Sequence, residues 1–294
     1  MSKMTLEKKE SLHSYLYLLP GTLVMLAFVL IPMFMSVYMS AFNITSLYGT
    51  WTFTGFGNYL SVLGDSRFWA SLGRTVLFGA WGLADGFSFG LLWSFMVARH
   101  RFLNLYRYIF YIPSVVSSIT MARLWNYVFV PTDYGFANSI LMGLGLVQTP
   151  VNWLGEDMIT WLVLLLAFYG AGGGMTLVLF TTAINNIEES MREVAKIEGA
   201  STLQTVFMVE LPLIKPVIVS YLILSIIGSF KAFENLYGLA PNSVGVETIA
   251  VYLYRNVQNS SMGYGYASAI GVVNTLIVMI IMEIYTRLPG GKTE

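Results

Sequence analysis

The strongest constraint on this chain is the recurrence of apolar stretches long enough to cross a bilayer. A hydrocarbon core of about 30 Å takes about 20 mostly apolar residues wound as a helix. Segments 15–42, 71–98, 108–130, 158–183, 214–238 and 266–288 meet that requirement, and polar or turn-rich stretches at 43–70, 99–107, 131–157, 184–213 and 239–265 separate them. Backbone inside lipid finds no water to bond, so spanning segments of this kind are helices. The expectation is an all-α, polytopic protein of six transmembrane helices, forming one membrane domain over 1–294. Pro20, Pro32, Pro113 and Pro216 fall inside or at the start of spans, where neighbouring helices and side chains can re-satisfy the freed carbonyls. Composition agrees: 56% of residues are hydrophobic and only 11% charged, against about 25% charged in a soluble domain.

The same figures exclude several classes. A net charge of zero and the lack of any basic patch interleaved with aromatics give no footprint for nucleic acid. With no cysteine, disulfides and thiolate metal sites are ruled out. Lys3, Lys8 and Lys9 resemble the start of a cleaved signal, but the run from Tyr15 to Phe42 is far longer than a signal core of about 7–15 residues. It reads as a retained first span. No internal repeat or low-complexity tract is visible.

Orientation follows from the distribution of Lys and Arg. With the N-terminus inside, the inner side holds Lys3, Lys8, Lys9, Arg99, Arg101, Arg107, Arg192, Lys196, Lys215, Arg287 and Lys292. The outer side holds only Arg67, Arg74 and Arg255. Both termini and the 184–213 segment are therefore expected in the cytoplasm. Trp51, Phe53, Phe56, Tyr59, Phe68, Trp69, Trp153 and Trp161 near the outer ends read as an interfacial aromatic belt. A ligand-stacking platform is the alternative.

Residues 184–212, INNIEESMREVAKIEGASTLQTVFMVELP, form the longest polar stretch on the inner side. Good helix formers run from Ile187 to Glu198, with Ile187, Met191, Val194 and Ala195 spaced to make a narrow apolar stripe. Glu188 and Arg192 form an attractive i,i+4 pair, whereas Arg192 and Lys196 do not. Gly199 can end this helix, and Ser201 or Thr202 can cap the next. A second apolar stretch, Val206 to Val209, runs into Leu211-Pro212. Two short helices joined by small residues suit docking into a groove. An amphipathic helix lying in the lipid interface is the competing reading, but Glu188, Glu189, Glu193 and Glu198 would be repelled by anionic lipid.

Glu193-Val194-Ala195, three residues, Gly199, nine residues, Val209, one residue, then Leu211-Pro212 resembles the EAA motif of ABC importer permeases. Val194 and Val209 replace that motif's usual Ala and Ile. YLYLLPGTLVMLAFVLIPMFMSVYMSAFN, GFGNYLSVLGDSRFWASLGRTVLF, LWNYVFVPTDYGFANSIL with the following VNWLG, LSIIGSFKAFENLYGL and MGYGYASAIGVV are similar to sugar permeases of the maltose and glycerol-phosphate group. The resemblance implies a type I importer bundle in a bacterial inner membrane. It implies pairing with a second permease, expected to be a distinct chain, and with two ATPase subunits that hold the ATP and Mg; this chain would carry no cofactor. An extracytoplasmic solute-binding protein would deliver a sugar or oligosaccharide, with glycerol phosphate as the alternative cargo. Glu193, Ala195, Gly199, Ala200, Leu211 and Pro212 would form the part that couples to the ATPase. One departure is LAPNSVG after the fifth span, where the family often has a Gly-Gly-Pro turn; that loop faces the binding protein or the outer gate.

Ionisable residues inside spans are functional candidates by default. Asp85 stands among Gly82, Gly86 and Gly90, a small-residue spacing suited to close helix approach. It pairs with Arg123 or hydrogen-bonds across that contact; the sequence leaves both open. Arg123 snorkels or lines the pathway together with Asn126. The fifth span carries Ser225, Ser229, Phe230, Lys231, Phe233, Glu234, Asn235 and Tyr237, which supply hydroxyl-directed bonds and aromatic faces for a sugar ring. Lys231 and Glu234 are placed to neutralise each other as an i,i+3 pair. The competing reading is a polar lining of the subunit interface. Asn274 in the sixth span is a further candidate, and Gly170, Gly172, Gly173 and Gly174 should weaken the fourth span.

Enzyme readings fail. HExxH, GxSxG and a cysteine nucleophile are all missing, and His13 and His100 lie in inner flanks. The terminal Gly290-Gly291-Lys292-Thr293 echoes a phosphate loop without its first glycine or following helix. A secondary transporter would call for ion-coupling carboxylates at the midplane, often with inverted repeats.

Overall fold

The computed structural model describes residues 6–171, 174–258 and 263–287. They fall into two compact units. The first comprises the residues before Ser66 together with Leu253–Leu276, and the second comprises Ser66–Tyr252 with the residues after Leu276.

In the first unit, α1 (Leu6–Met25) continues through a π-helical turn, Leu26–Leu30, into α2 (Ile31–Met39). Pro32 explains the turn. A proline lacks the N–H that would bond residue i−4 and its ring crowds that carbonyl. Widening the helix relieves both problems, and the Ile31 N–H bonds the Leu26 carbonyl instead. A short hairpin follows, β1 (Phe42–Asn43) with β2 (Thr52–Phe53), in the register Phe42↔Phe53. It is packed by aromatic contacts of Phe42 with Tyr38 at 4.8 Å and with Phe53 at 5.3 Å. Next comes α3 (Gly57–Gly64), whose Asn58 Nδ2 donates to the Ser40 and Phe42 carbonyls at 2.9 and 2.8 Å. One amide thereby holds α3 against the hairpin.

The second unit is helical. The long helix Ser66–Val97 is built from α4 (Ser66–Asp85), a π-helical turn Gly86–Leu91 and α5 (Leu92–Val97). The third expected span is divided into α6 (Leu103–Val115) and α7 (Ser118–Val128). Pro113 lies in the last turn of α6, and the chain turns extended at Val116. The outer loop then folds around α8 (Phe136–Gly143) and its buried Asn138. That amide donates to the carbonyls of Val130, Thr132 and Val151 and accepts from Val151 N and Trp153 Nε1. The fourth expected span comprises α9 (Glu156–Ala171) and α10 (Gly174–Asn185), with Gly172 and Gly173 outside the described residues.

Three short helices follow: α11 (Glu189–Ile197), α12 (Thr202–Thr205) and α13 (Leu211–Leu213). The fifth span is α14 (Lys215–Phe230), which breaks before α15 (Glu234–Leu239). Two helices complete the chain, α16 (Ile249–Gln258) and α17 (Gly263–Arg287). Among the described residues, Tyr15–Met39, Ser66–Val97 and Gly263–Arg287 are each long and apolar enough to cross a membrane. The pair Thr202–Leu213 and Lys215–Phe230, bent by 66°, would make a fourth if taken as one span. The expected third and fifth spans are thus each divided, and the join of α9 to α10 in the fourth lies outside the described residues.

Within this unit α4 packs on α14 and α9, α10 packs on α6 and α5, and α7 packs on α15. The small residues of the second span set the closest approach. A Cβ on Gly86 would overlap the Tyr221 hydroxyl, one on Gly90 the Thr176 methyl, and one on Gly79 would lie 2.8 Å from Ser229 Cβ. Gly82 has nothing within 4 Å, so the crossing is made at 79, 86 and 90. Overpacking costs about 1–3 kcal/mol. Gly90→Val should lower the unfolding midpoint of the detergent-purified protein by several degrees, and Gly82→Ala should leave it unchanged; equal midpoints for the two variants would refute this packing.

Candidate functional site: the 184–213 segment and the broken fifth span

Leaving α10, the chain enters α11 through Glu188, whose extended backbone starts the helix. At its far end Gly199 adopts φ +82°, with Ala200 N donating to Ala195 O at 2.9 Å and Gly199 N to Lys196 O at 3.0 Å. This is a Schellman closure, in which a left-handed residue satisfies the last carbonyls. A Cβ at Gly199 would meet nothing within 4 Å. Glycine is therefore needed there for its backbone angle and not for space. Ser201 begins α12 with a capping box: Gln204 N donates to Ser201 Oγ at 3.3 Å, and Ser201 N to Gln204 Oε1 at 2.8 Å. Reciprocal caps satisfy two orphan donors at once.

The helix then widens into a π-helical turn, Val206–Glu210, closed by Leu211 N bonding Val206 O. Pro212 follows two residues after it, just as Pro32 follows the π turn in the first span.

The members of the apolar stripe on α11 are divided between its two faces. Arg192 and Ala195 are buried, whereas Met191, Val194 and Ile197 are 46%, 57% and 85% exposed. Of the expected stripe, Met191 and Val194 face outward and Ala195 inward, and Ile187 precedes the helix. On the second arm Leu203, Phe207 and Met208 are also exposed. Glu193 is exposed on α11, while Ala200, Leu211 and Pro212 lie in the return path.

The inward face is organised by charge. Arg192 Nε donates to Glu210 Oε1 at 2.7 Å, and its Nη1 donates to Glu189 Oε2 at 2.9 Å and Ile187 O at 3.2 Å. Its Nη2 reaches Ile184 O. The expected partner Glu188 is thus replaced by Glu189 and Glu210, because Glu188 lies outside the helix. Glu210 is fully buried and also receives Arg99 from just beyond α5. Sequence reasoning passed over Glu210, although a carboxylate inside the apolar run VFMVELP was the available signal. The hydrogen bond from Arg192 holds the Glu189 carboxyl below its ordinary range. Beside this network a groove of about 440 Å³ runs between Asn186, Met191, Leu213 and Val217.

The fifth-span candidates separate into two settings. Ser229 faces Gly79 and donates to Ser225 O at 2.8 Å, and Phe230 is buried. Lys231 ends α14, and Glu234 opens α15 beside Asn235; all three are exposed. No Lys231–Glu234 ion pair occurs among the described residues, because the helix break destroys their i,i+3 relation. Phe233 and Tyr237 stack at 5.0 Å. Asn126 Nδ2 donates to Leu239 O at 2.7 Å and ties α7 to α15, while Arg123 is exposed on α7. Asp85 is buried beside Gly86, over which the Tyr221 hydroxyl sits. Asn274 is half-buried in the first unit, and its Oδ1 has no hydrogen-bond partner among the described residues.

The LAPNSVG loop is held by two carboxylates. Glu156 Oε1 accepts from Ser243 Oγ at 2.9 Å and Val244 N at 2.9 Å, and its Oε2 accepts from Gly245 N at 2.7 Å. Arg67 grips the buried Glu247 with Nε and Nη2 at 2.8 and 2.7 Å.

A helical chain with several apolar helices, a capped two-armed segment at 184–213 and a tied LAPNSVG loop has the features of a transporter's membrane subunit. Residues 86–289 match the family of binding-protein-dependent transport system inner membrane components, and the chain belongs to that family. It is 30% identical over 283 residues to the arabinooligosaccharide transport permease AraP of Bacillus subtilis, covering 94% of this chain and 88% of that one. It is 28% identical over 284 residues to the trehalose/maltose permease MalF of Thermococcus litoralis, covering 96% and 95%. Its fold matches a chain of a bacterial alginate ABC transporter solved with an alginate-pentasaccharide-bound periplasmic protein, with a TM-score of 0.81, 20% identity and coverage of 97% and 98%.

Burial alone would raise the Glu156 pKa, but the bonds from Val244, Ser243 and Gly245 outweigh it and, with the Arg74 charge, lower it. A depressed folded pKa stabilises above the unfolded value, and the gain is lost as pH falls through the folded one. The protection factors of the Val244 and Gly245 amides against hydrogen exchange should therefore be high at neutral pH and fall as pH drops below the ordinary carboxylate range. Glu156→Gln should be weakly protected throughout; pH-independent protection factors in the parent protein would contradict the assignment.

Proposed function

We propose that this chain is the permease subunit of an ATP-driven importer for a sugar or oligosaccharide, forming half of the translocation path with a second, distinct permease. The capped 184–213 segment carries this reading. Arg192 and Glu210 turn inward to hold it rigid, while Met191, Val194, Ile197, Phe207 and Met208 remain exposed. An apolar face on a rigid element suits a protein groove. Two ATPase subunits would take this segment, hold ATP and Mg, and carry out all the hydrolysis. Both termini would lie on the same inner side, and the whole chain would act as one membrane domain. The solute-binding protein would dock on the opposite side, where the loop tied by Glu156 and Glu247 stands.

Support for a sugar comes from the saccharide permeases that this chain is similar to. In this chain, Arg123, Asn126, Ser229, Phe230, Lys231, Glu234, Asn235, Tyr237 and Asn274 are the candidate contacts. Glycerol phosphate remains the alternative cargo.

Two experiments test the proposal. In the purified complex, Glu193→Ala and Gly199→Ala should cut binding-protein-stimulated ATP hydrolysis by about tenfold, while both variants still insert in the membrane. Normal stimulation in both would remove the coupling role, and uptake by this chain alone without ATP would favour a secondary transporter. Glu234→Ala and Asn235→Ala should lower uptake of labelled saccharides in proteoliposomes several-fold with assembly intact; parental uptake from both would eliminate the fifth-span site.

A further inference from the structure

Glu210 lies at the meeting point of two helices that are distant in sequence. Its Oε1 accepts Arg192 from α11 and Arg99 from the end of the Ser66–Val97 helix. The carboxylate is fully buried, Arg192 nearly so, and Arg99 about half exposed. The two arginines do different work. Arg192 binds the carbonyls of Ile184 and Ile187 as well as Glu189 and Glu210, so it folds the segment onto itself. Arg99 makes a connection from outside the segment. A buried carboxylate stripped of every partner is strongly destabilising, but here either arginine alone leaves the charge compensated. The outer connection is therefore separable from the fold of the segment.

The Ser66–Val97 helix also reaches the candidate pathway. Its Gly79 lies against Ser229 and its Gly86 against Tyr221, both on α14. A displacement of α11 passed through Glu210 and Arg99 would arrive at the residues that end α14.

We infer that Arg99 and Glu210 are positioning residues that lock the 184–213 segment to the inner end of the Ser66–Val97 helix, making the two a single lever for the stroke of the ATPase. This rests on the proposed coupling role of the segment. Coupling here means that motion received at α11 must not dissipate in a loose joint. A charged, hydrogen-bonded pair in a low-dielectric setting supplies that stiffness with directional geometry.

The chain has no cysteine, so introduced cysteines can be labelled without background. Met96→Cys and Lys196→Cys, both at exposed positions, would carry spin labels on the two halves of the lever in the purified complex. With Arg99 intact, the label-to-label distance should be narrow and should stay the same when the complex is trapped with ATP and vanadate. Arg99→Met should at least double the width of the distribution and reduce stimulation of ATP hydrolysis by the binding protein about fivefold, with basal hydrolysis unchanged. Arg99→Lys should recover much of both. Glu210→Gln, which keeps an acceptor for Arg192 but removes the charge that holds Arg99, should act like Arg99→Met and decides the matter if that variant does not assemble.

An unchanged distribution or unchanged stimulation in these variants overturns the inference, as does a parental distance that shifts on trapping. The coupling reading fails separately, when no ATPase copurifies or when Glu193→Ala retains full stimulation.

Discussion

Everything in this structure answers to one requirement: backbone amides and carbonyls in a bilayer must bond within the protein. Long helices meet it trivially, and Gly263–Arg287 is of that kind. More informative are the places where a helix cannot run straight. Two prolines, Pro32 and Pro212, each follow a π-helical turn whose i→i−5 bond takes over a carbonyl that the ordinary helical ladder would use differently. Where the helices of the fifth span stop instead, at Lys231–Phe233 and after Leu239, side chains take over. Asn126 donates to the Leu239 carbonyl at the end of α15, and Thr248 donates to that of Ala232 in the gap before it. The interruptions are thus stitched rather than loose.

Charge is placed by the same logic. Four carboxylates of the second unit are given donors at two places. Glu247 and Glu156 fix the LAPNSVG loop, and Glu210 and Glu189 fix the 184–213 segment. Under the proposed function, the tied loop and the tied segment are the two parts that a relay between a binding protein and an ATPase requires. Between them the helices touch through glycine at 79, 86 and 90, which allows backbones to approach closely and leaves little slack for a movement to be absorbed.

How much of this was legible in the sequence depends on the range of the interaction involved. The local signals were clear: Gly199 ends α11 and Ser201 caps α12, because both devices are written within a few residues. The membrane-spanning character was equally plain, since hydropathy depends on composition alone. Helix continuity was not, for an apolar run reads the same whether or not the chain breaks at Val116 or after Phe230. The Lys231–Glu234 pairing failed for that reason. The face of α11 was legible only in part: periodicity locates an apolar stripe but does not say that Ala195 meets its own chain while Met191 and Val194 stay exposed. Glu210 was missed because both of its arginines come from other elements, and the pairing of Arg192 with Glu188 looked complete by itself.

The outward stripe on α11 has a consequence for the life of the chain before assembly. Met191, Val194 and Ile197 are held in the open by a helix that is already capped at its glycine end and anchored by Arg192. A newly inserted copy cannot hide them by refolding, so until something covers them it displays an adhesive surface to the aqueous compartment. Synthesis in balance with its companions then becomes a matter of proteostasis, and surplus copies are marked for aggregation or proteolysis by the same residues that suit them for assembly.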